Sequence, residues 1–257
     1  MSNLENDVIE YLKKFSVEAQ KIKESNEKTP DFLIEQEEVI LIELKEKSDE
    51  EALHQAQEKE LAKGDVFEHL NTTGYKNRIS GVIGHGIKQL KAQKERTKSD
   101  FCLLFIIANG VAQGNQSEQI ISTLYGRKHV IDLESKTSDA SSCYYAYHSE
   151  FFKYRDVIDG VFLITSKNVV LLINDKSPNY TAFKASKFIA KFVGKIGFFD
   201  LVEQEVAGKI MVADCDIPRS NQKAVEQYIF EKYSINKGIL LDFPHFTFQA
   251  RVDEIDI

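Results

Sequence analysis

Thr29-Pro30-Asp31-Phe32-Leu33-Ile34 and, after four polar residues, Val39-Ile40-Leu41-Ile42-Glu43-Leu44-Lys45 are the stretch from which the fold of this chain is read. The first run is short and apolar. The second is built of β-branched residues and leucines, so the pair reads as two strands joined by a polar turn. Successive strand side chains point to opposite faces. Val39, Leu41, Glu43 and Lys45 therefore share one face, and Ile40, Ile42 and Leu44 line the other. Both faces are apolar until the strand's end, which describes an interior strand whose tip bears charge. Charges at such a tip are costly to bury unless they are paired or hold a metal.

The register of the hairpin decides whether a third charge joins them. Pairing Ile34 with Val39 sets Asp31 against Ile42 and turns it to the wrong face. A loop one residue longer, or a bulge, sets Asp31 opposite Glu43 with Cβ atoms about 4.5–5.5 Å apart. Two carboxylates about 4 Å apart repel by roughly 4 kcal/mol at an effective dielectric of 20. A divalent cation turns that repulsion into attraction, and hard oxygen ligands favour Mg²⁺ or Mn²⁺. Lys45, one pleat beyond Glu43, is placed to polarise a water or steady a pentacovalent phosphate. The set outlines metal-assisted phosphodiester hydrolysis, with the cation as Lewis acid.

Pro30-Asp31, an interval of eleven residues, and Glu43-Leu44-Lys45 resemble the PD-(D/E)XK signature of the restriction-endonuclease-like nuclease superfamily. The resemblance covers roughly the first 135 residues. It implies a restriction-endonuclease-like αβββαβ core and Mg²⁺-dependent cleavage of DNA, with Mn²⁺ as substitute, in a prokaryotic restriction, repair or anti-phage setting. Asp31 and Glu43 become metal ligands, and Lys45 the group that activates water or stabilises the transition state. A first-helix glutamate often completes the metal shell in this superfamily, which assigns Glu18. Helices after the catalytic strand often carry a Gln or Lys toward the site, which assigns Gln89 and Gln93, four residues apart on one face. The superfamily usually places a strand before the Asp-bearing one. Residues 23–29 are a poor strand, so a reduced meander is expected. A second Glu-x-Lys, Glu134-Ser135-Lys136, has no Pro-Asp hairpin ahead of it and is not assigned to the site.

At 257 residues the chain suits one large α/β domain or two small ones. Hydrophobic and charged fractions of 42% and 28% are those of a globular protein with a sizeable core. No apolar run approaches a membrane span, and the polar start is no signal peptide. Cys102, Cys143 and Cys215 are isolated and odd in number, which argues against disulfides and zinc. A cytoplasmic location is expected. A net charge of −7 argues against non-specific coating of DNA, although binding needs only a local basic surface. No Gly-x-Ser-x-Gly elbow, Walker loop or His-Glu-x-x-His helix occurs.

Along the chain, Leu4, Val8, Tyr11, Leu12, Phe15, Ala19 and Ile22 predict an amphipathic helix over 4–22. Ser48-Asp49-Glu50-Glu51 reads as a capping box opening a charged helix that ends near Gly64, and 49–78 as an inserted flap. Residues 71–78 are expected as loop, with the helix beginning at Ile87 after Gly81-Val82-Ile83-Gly84-His85-Gly86. Phe101–Ala108 is a buried strand, and a helix from Asn115 to Gly126 leads to a strand at 130–133, a unit that predicts parallel pairing. A hairpin at 157–174, further strands at 210–213, 239–242 and 246–252, and a helix after Ser220 follow. The expected division is a nuclease-like core over 1–140 and an α/β extension over 141–257, either separate or packed as one domain. From Thr181 to Phe199 there is no acidic residue, and Lys184, Lys187 and Lys191 fall on one helical stripe. They form a basic ridge suited to a phosphate backbone, with Arg78 and Lys88 as further nucleic-acid contacts. Double-strand cutting calls for a homodimer or a protein partner. The alternative is a non-catalytic subunit that keeps the fold and binds a protein through its second half.

Overall fold

The computed structural model describes residues 3–23, 29–137 and 139–251. The chain opens with α1 (Asn3–Lys13), β1 (Ala19–Lys21), β2 (Phe32–Glu35), β3 (Val39–Ser48) and α2 (Glu51–Ala62). Next come β4 (Phe67–Thr72), α3 (Asn77–Thr97), β5 (Phe101–Asn109), α4 (Gln113–Tyr125), β6 (Lys128–Asp132) and β7 (Ala140–Tyr144). They are followed by α5 (Glu150–Lys153), β8 (Gly160–Ile164), β9 (Val169–Ile173), α6 (Tyr180–Lys184) and α7 (Lys187–Ala190). The described order ends with β10 (Gly197–Phe199), α8 (Leu201–Val206), β11 (Met211–Val212), α9 (Gln222–Lys232), β12 (Gly238–Leu241) and β13 (Pro244–Gln249). The class is mixed α/β. Among the described residues no helix is long and apolar enough to cross a membrane.

Seven strands make the central sheet, in the order β1-β2-β3-β5-β8-β9-β10. β1, β2 and β3 are an antiparallel meander, and β3, β5 and β8 run parallel. β9 folds back on β8 in the expected hairpin, and β10 runs parallel to β9. The buried centre strand β5 is apolar almost throughout because both its faces are covered. Leu103 and Phe105 join Val8 and Leu12 of α1 and the phenylalanines Phe183, Phe188 and Phe192. Cys102, Leu104 and Ile106 pack on the other side against Ile83, Ile87 and Leu90 of α3 and Ile120 and Leu124 of α4. The sheet crosses residue 140, so the two expected parts share it.

The structure departs from the sequence reading at five places. The first helix stops at Lys13, where the chain makes a Schellman turn. Ser16 takes the left-handed conformation (φ 58°), its N–H bonds to the Lys13 carbonyl, and Val17 N–H bonds to that of Leu12. Leu12 and Val17, both buried, close the turn, and the chain continues as β1. The missing strand of the meander is therefore present, hidden in the tail of an apparent helix. No capping box opens α2: Ser48 ends β3, and Asp49 accepts from Val111 N–H at 2.9 Å. The loop expected over 71–78 is confined to 73–76, since Asn71 and Thr72 finish β4 and α3 starts at Asn77. β4 pairs with β13 as a separate two-stranded ribbon. After α4 the chain leaves the central sheet, so β6 is antiparallel to β7 and β12 in a four-stranded sheet, and β8 takes the parallel place beside β5.

The fifth departure concerns the basic stretch. It is two short helices broken at Ser186, and folding supplies the acids that the local sequence lacks. Lys184 pairs with Asp200 and Glu203, and Lys191 reaches Glu37 at 3.6 Å and Gln36 at 3.2 Å. Lys187 alone of the three is exposed.

Candidate active site

The β2–β3 register pairs Ile34 with Ile40 and Phe32 with Ile42. Continued by one residue, it sets Asp31 opposite Glu43, the longer-loop alternative. Asp31 Oδ2 accepts the N–H of Leu44 at 2.7 Å, so its carboxylate reaches across to the backbone between Glu43 and Lys45. Ile40 and Ile42 enter the α1 side of the core and Leu41 the α3 side. Glu43 and Lys45 thus lie under α3, on a strand held between β2 and β5.

Glu43 is fully buried. One of its oxygens is bonded to Lys45 Nζ, while the other, Oε2, has no hydrogen-bond partner. Burial pushes the Glu43 carboxyl up to about 8; the neighbouring Asp31 acts in the same direction and Lys45 opposes both. A buried carboxylate oxygen without a partner, beside a second carboxylate, is an arrangement that a cation would stabilise.

Helix α3 closes over this pair. Its stripe Ile79, Ile83, Ile87 and Leu90 faces the sheet, and Gly81, Gly84 and Gly86 are helical positions of α3. A Cβ on Gly86 would stand 2.9 Å from Leu104 Cδ2, 3.1 Å from Glu43 Cγ and 3.3 Å from Lys45 Cε. Glycine is what lets the helix approach so closely. One turn on, Gln89 Oε1 accepts from Lys45 Nζ at 3.1 Å and its Nε2 donates to the Thr29 carbonyl at 3.0 Å. Gln89 therefore ties the lysine to the segment that leads into Asp31.

Of the residues expected at the site, the fold brings together Asp31, Glu43, Lys45 and Gln89. Gln93 lies one turn further along α3 and makes no hydrogen bond to these side chains among the described residues. Glu18 is not helical and does not reach the site: its N–H donates to Gln36 in the β2–β3 turn, at the far end of β2. That is roughly 16 Å from Asp31 at a strand's rise per residue. The described residues hold no group of three or more His, Cys, Asp or Glu side chains arranged for a metal. Two carboxylates fit a hard cation whose other ligands come from backbone or water. Lys88 is exposed on α3, and Arg78 pairs with Glu50 at 2.6 Å.

Sequence reasoning missed Gly86 and the Thr29 carbonyl. The signal for the first was available, since Ile79, Ile83, Ile87 and Leu90 carry helical spacing straight through the glycines. Burial raises the thiol of Cys102 to about 11 and that of Cys143 further still. Comparison with known protein families, with curated proteins and with solved structures finds no match to this chain.

Proposed function

We propose that this protein is a divalent-cation-dependent nuclease that hydrolyses DNA phosphodiester bonds as an endonuclease. The observation that carries the reading is the opposed pair Asp31 and Glu43, one of whose buried oxygens is unpartnered, with Lys45 beside it. With α2 and β4 set aside as the insertion expected over 49–78, the remaining order α1-β1-β2-β3-α3-β5 supports it, because it matches the αβββαβ succession that the sequence resemblance implies. Asp31 and Glu43 would hold Mg²⁺ or Mn²⁺. A bound cation supplies Lewis-acid polarisation of the scissile phosphate and lowers the pKa of water. Lys45 places a positive charge where negative charge grows in the transition state, and Gln89 holds the ammonium in place. Gly86 and α3 exclude water from the Glu43 side of the pair. The restriction or anti-phage setting and a homodimer belong to the same proposal.

Supercoiled plasmid incubated with the protein and Mg²⁺ is expected to be nicked or cut, and EDTA, Glu43→Ala or Lys45→Ala to prevent it. Cleavage that persists in both variants would remove the assignment. A second reading, a non-catalytic subunit that binds a protein, is favoured by one feature: Leu70, Phe246 and Phe248 stand exposed together on the outer face of the β4–β13 ribbon. No cleavage under any condition, together with capture of a partner that Phe246→Asp abolishes, would favour that reading.

A further inference from the structure

A second concave feature lies at the carboxyl end of the parallel strands, where open α/β sheets commonly receive ligands. The loop 110–112 leaves β5 and enters α4. With the β8–β9 turn and the inner face of β13 it encloses a cavity of about 650 Å³. Glu43 pairs with Leu104 on β5, and Gly110 lies six residues beyond, roughly 20 Å along the strand. The cavity is thus separate from the carboxylate pair.

Its chemistry is that of an anion site. α4 is thirteen residues long, has no acidic residue in its first turn, and its N-cap Ala112 makes no side-chain cap. The leading amides and the positive end of the helix dipole are therefore available at the cavity wall. A Cβ on Gly110 would stand 2.6 Å from the Asp49 carboxylate that holds the loop through Val111 N–H, so the glycine lets that side chain close on the loop. The independent observation is Asn115. It is 3% exposed, lines the cavity, and its amide nitrogen has no hydrogen-bond partner. Ser117, which also lines the cavity, has a buried and unpartnered Oγ, and the buried Gln116 Nε2 behind the loop at Gly110 is unpartnered as well. Each such donor costs about 1–3 kcal/mol while it lacks an acceptor. Lys167 from the β8–β9 turn and His245 from β13 also line the space. Glu118, the acidic group among the lining residues, is paired with Arg127. Ile121, Leu163 and Val170 add an apolar surface on which a ring can lie.

We propose that this cavity binds a phosphate monoester of mononucleotide size, with its phosphate on the first turn of α4 between Asn115 and Lys167 and its ring over the apolar residues. The volume suits such a ligand, because small-molecule sites commonly enclose about 300–1,000 Å³. The site is independent of the nuclease reading and is tested with EDTA present, so either can fail alone.

The experiment is calorimetric titration of the full chain with adenosine monophosphate and with inorganic phosphate. The nucleotide is expected to bind at least roughly tenfold more tightly than phosphate, and Lys167→Glu and Asn115→Asp each to weaken it by about tenfold or more. Lys209→Glu, at an exposed position after α8, should leave affinity unchanged. Asn115 is buried, so if Asn115→Asp does not fold, Lys167→Glu on its exposed turn decides. No binding by the wild-type chain, or equal losses in Lys167→Glu and Lys209→Glu, overturns the proposal. Phosphate binding as tightly as the nucleotide overturns the assigned ligand size.

Discussion

The chain spells Glu-x-Lys twice, at Glu43-Leu44-Lys45 and at Glu134-Ser135-Lys136, and the fold treats the two very differently. The first lies on an interior strand under a helix, its glutamate fully buried and set against Asp31. The second follows the end of β6 in a turn where all three residues are exposed, and the Glu134 carboxylate accepts from Asn236 Nδ2 at 3.3 Å. The three letters by themselves do not separate them; the Pro-Asp hairpin ahead of the first copy does. What differs is dielectric: a carboxylate under a helix is costly to ionise, whereas one in a turn is a hydrated surface charge.

The largest difference is expected in cleavage. Glu43→Ala should reduce Mg²⁺-dependent nicking of plasmid by roughly a hundredfold or more, while Glu134→Ala retains full activity. Equal losses would break the comparison. Next comes stability against pH. The Glu43 carboxyl titrates at about 8 in the folded protein, above its ordinary 4.5, so the folded state holds the proton more tightly. That contribution is complete below about pH 4.5 and is lost as pH rises through 8, a fall of up to several kcal/mol at about 1.4 kcal/mol per unit. Urea titrations from pH 5 to 8 should show the fall in wild type and a flatter curve in Glu43→Gln. Mg²⁺ at pH 8 should restore stability to the wild type only. A fall that survives in Glu43→Gln would mean that another group causes it.

Two smaller tests sharpen the contrast. Gly86→Ala crowds Leu104 and Glu43 and is expected to cost about 1–3 kcal/mol. Gly81→Ala, in open space on the same helix, should gain up to about 1 kcal/mol in thermal or urea unfolding. Gln89→Ala frees the Lys45 ammonium and is expected to lower kcat for cleavage by about tenfold with KM unchanged. A change confined to KM would make Gln89 a substrate contact.

The strand pair, the buried β5, the β8–β9 hairpin and the α/β class were legible because each rests on local periodicity. The convergence of Asp31 with Glu43 was legible only as one of two registers, since the turn length was not fixed by residue type. β1 was illegible for a different reason. Val17, Ala19 and Ile22 continue a helical stripe, and only the Ser16 turn breaks it, with a residue that rarely takes positive φ. The basic stretch misled because its counter-ions, Asp200, Glu203 and Glu37, arrive from outside the window or from another element altogether. Glu18 misled for the same reason as β1: a helix that ends early carries its apparent face to the wrong end of the sheet.

The β4–β13 ribbon joins segments more than 170 residues apart in the chain. On a ribosome adding about 5–20 residues per second, β4 waits on the order of ten seconds or more for its partner. During that interval its edge and Leu70 lack the strand that pairs with them in the folded chain. Gln249 of β13 donates to the Val111 carbonyl at 2.7 Å, so the α4 cavity also receives its roof only when that late strand docks. A nascent chain can thus complete its carboxylate pair well before it can close the second chamber.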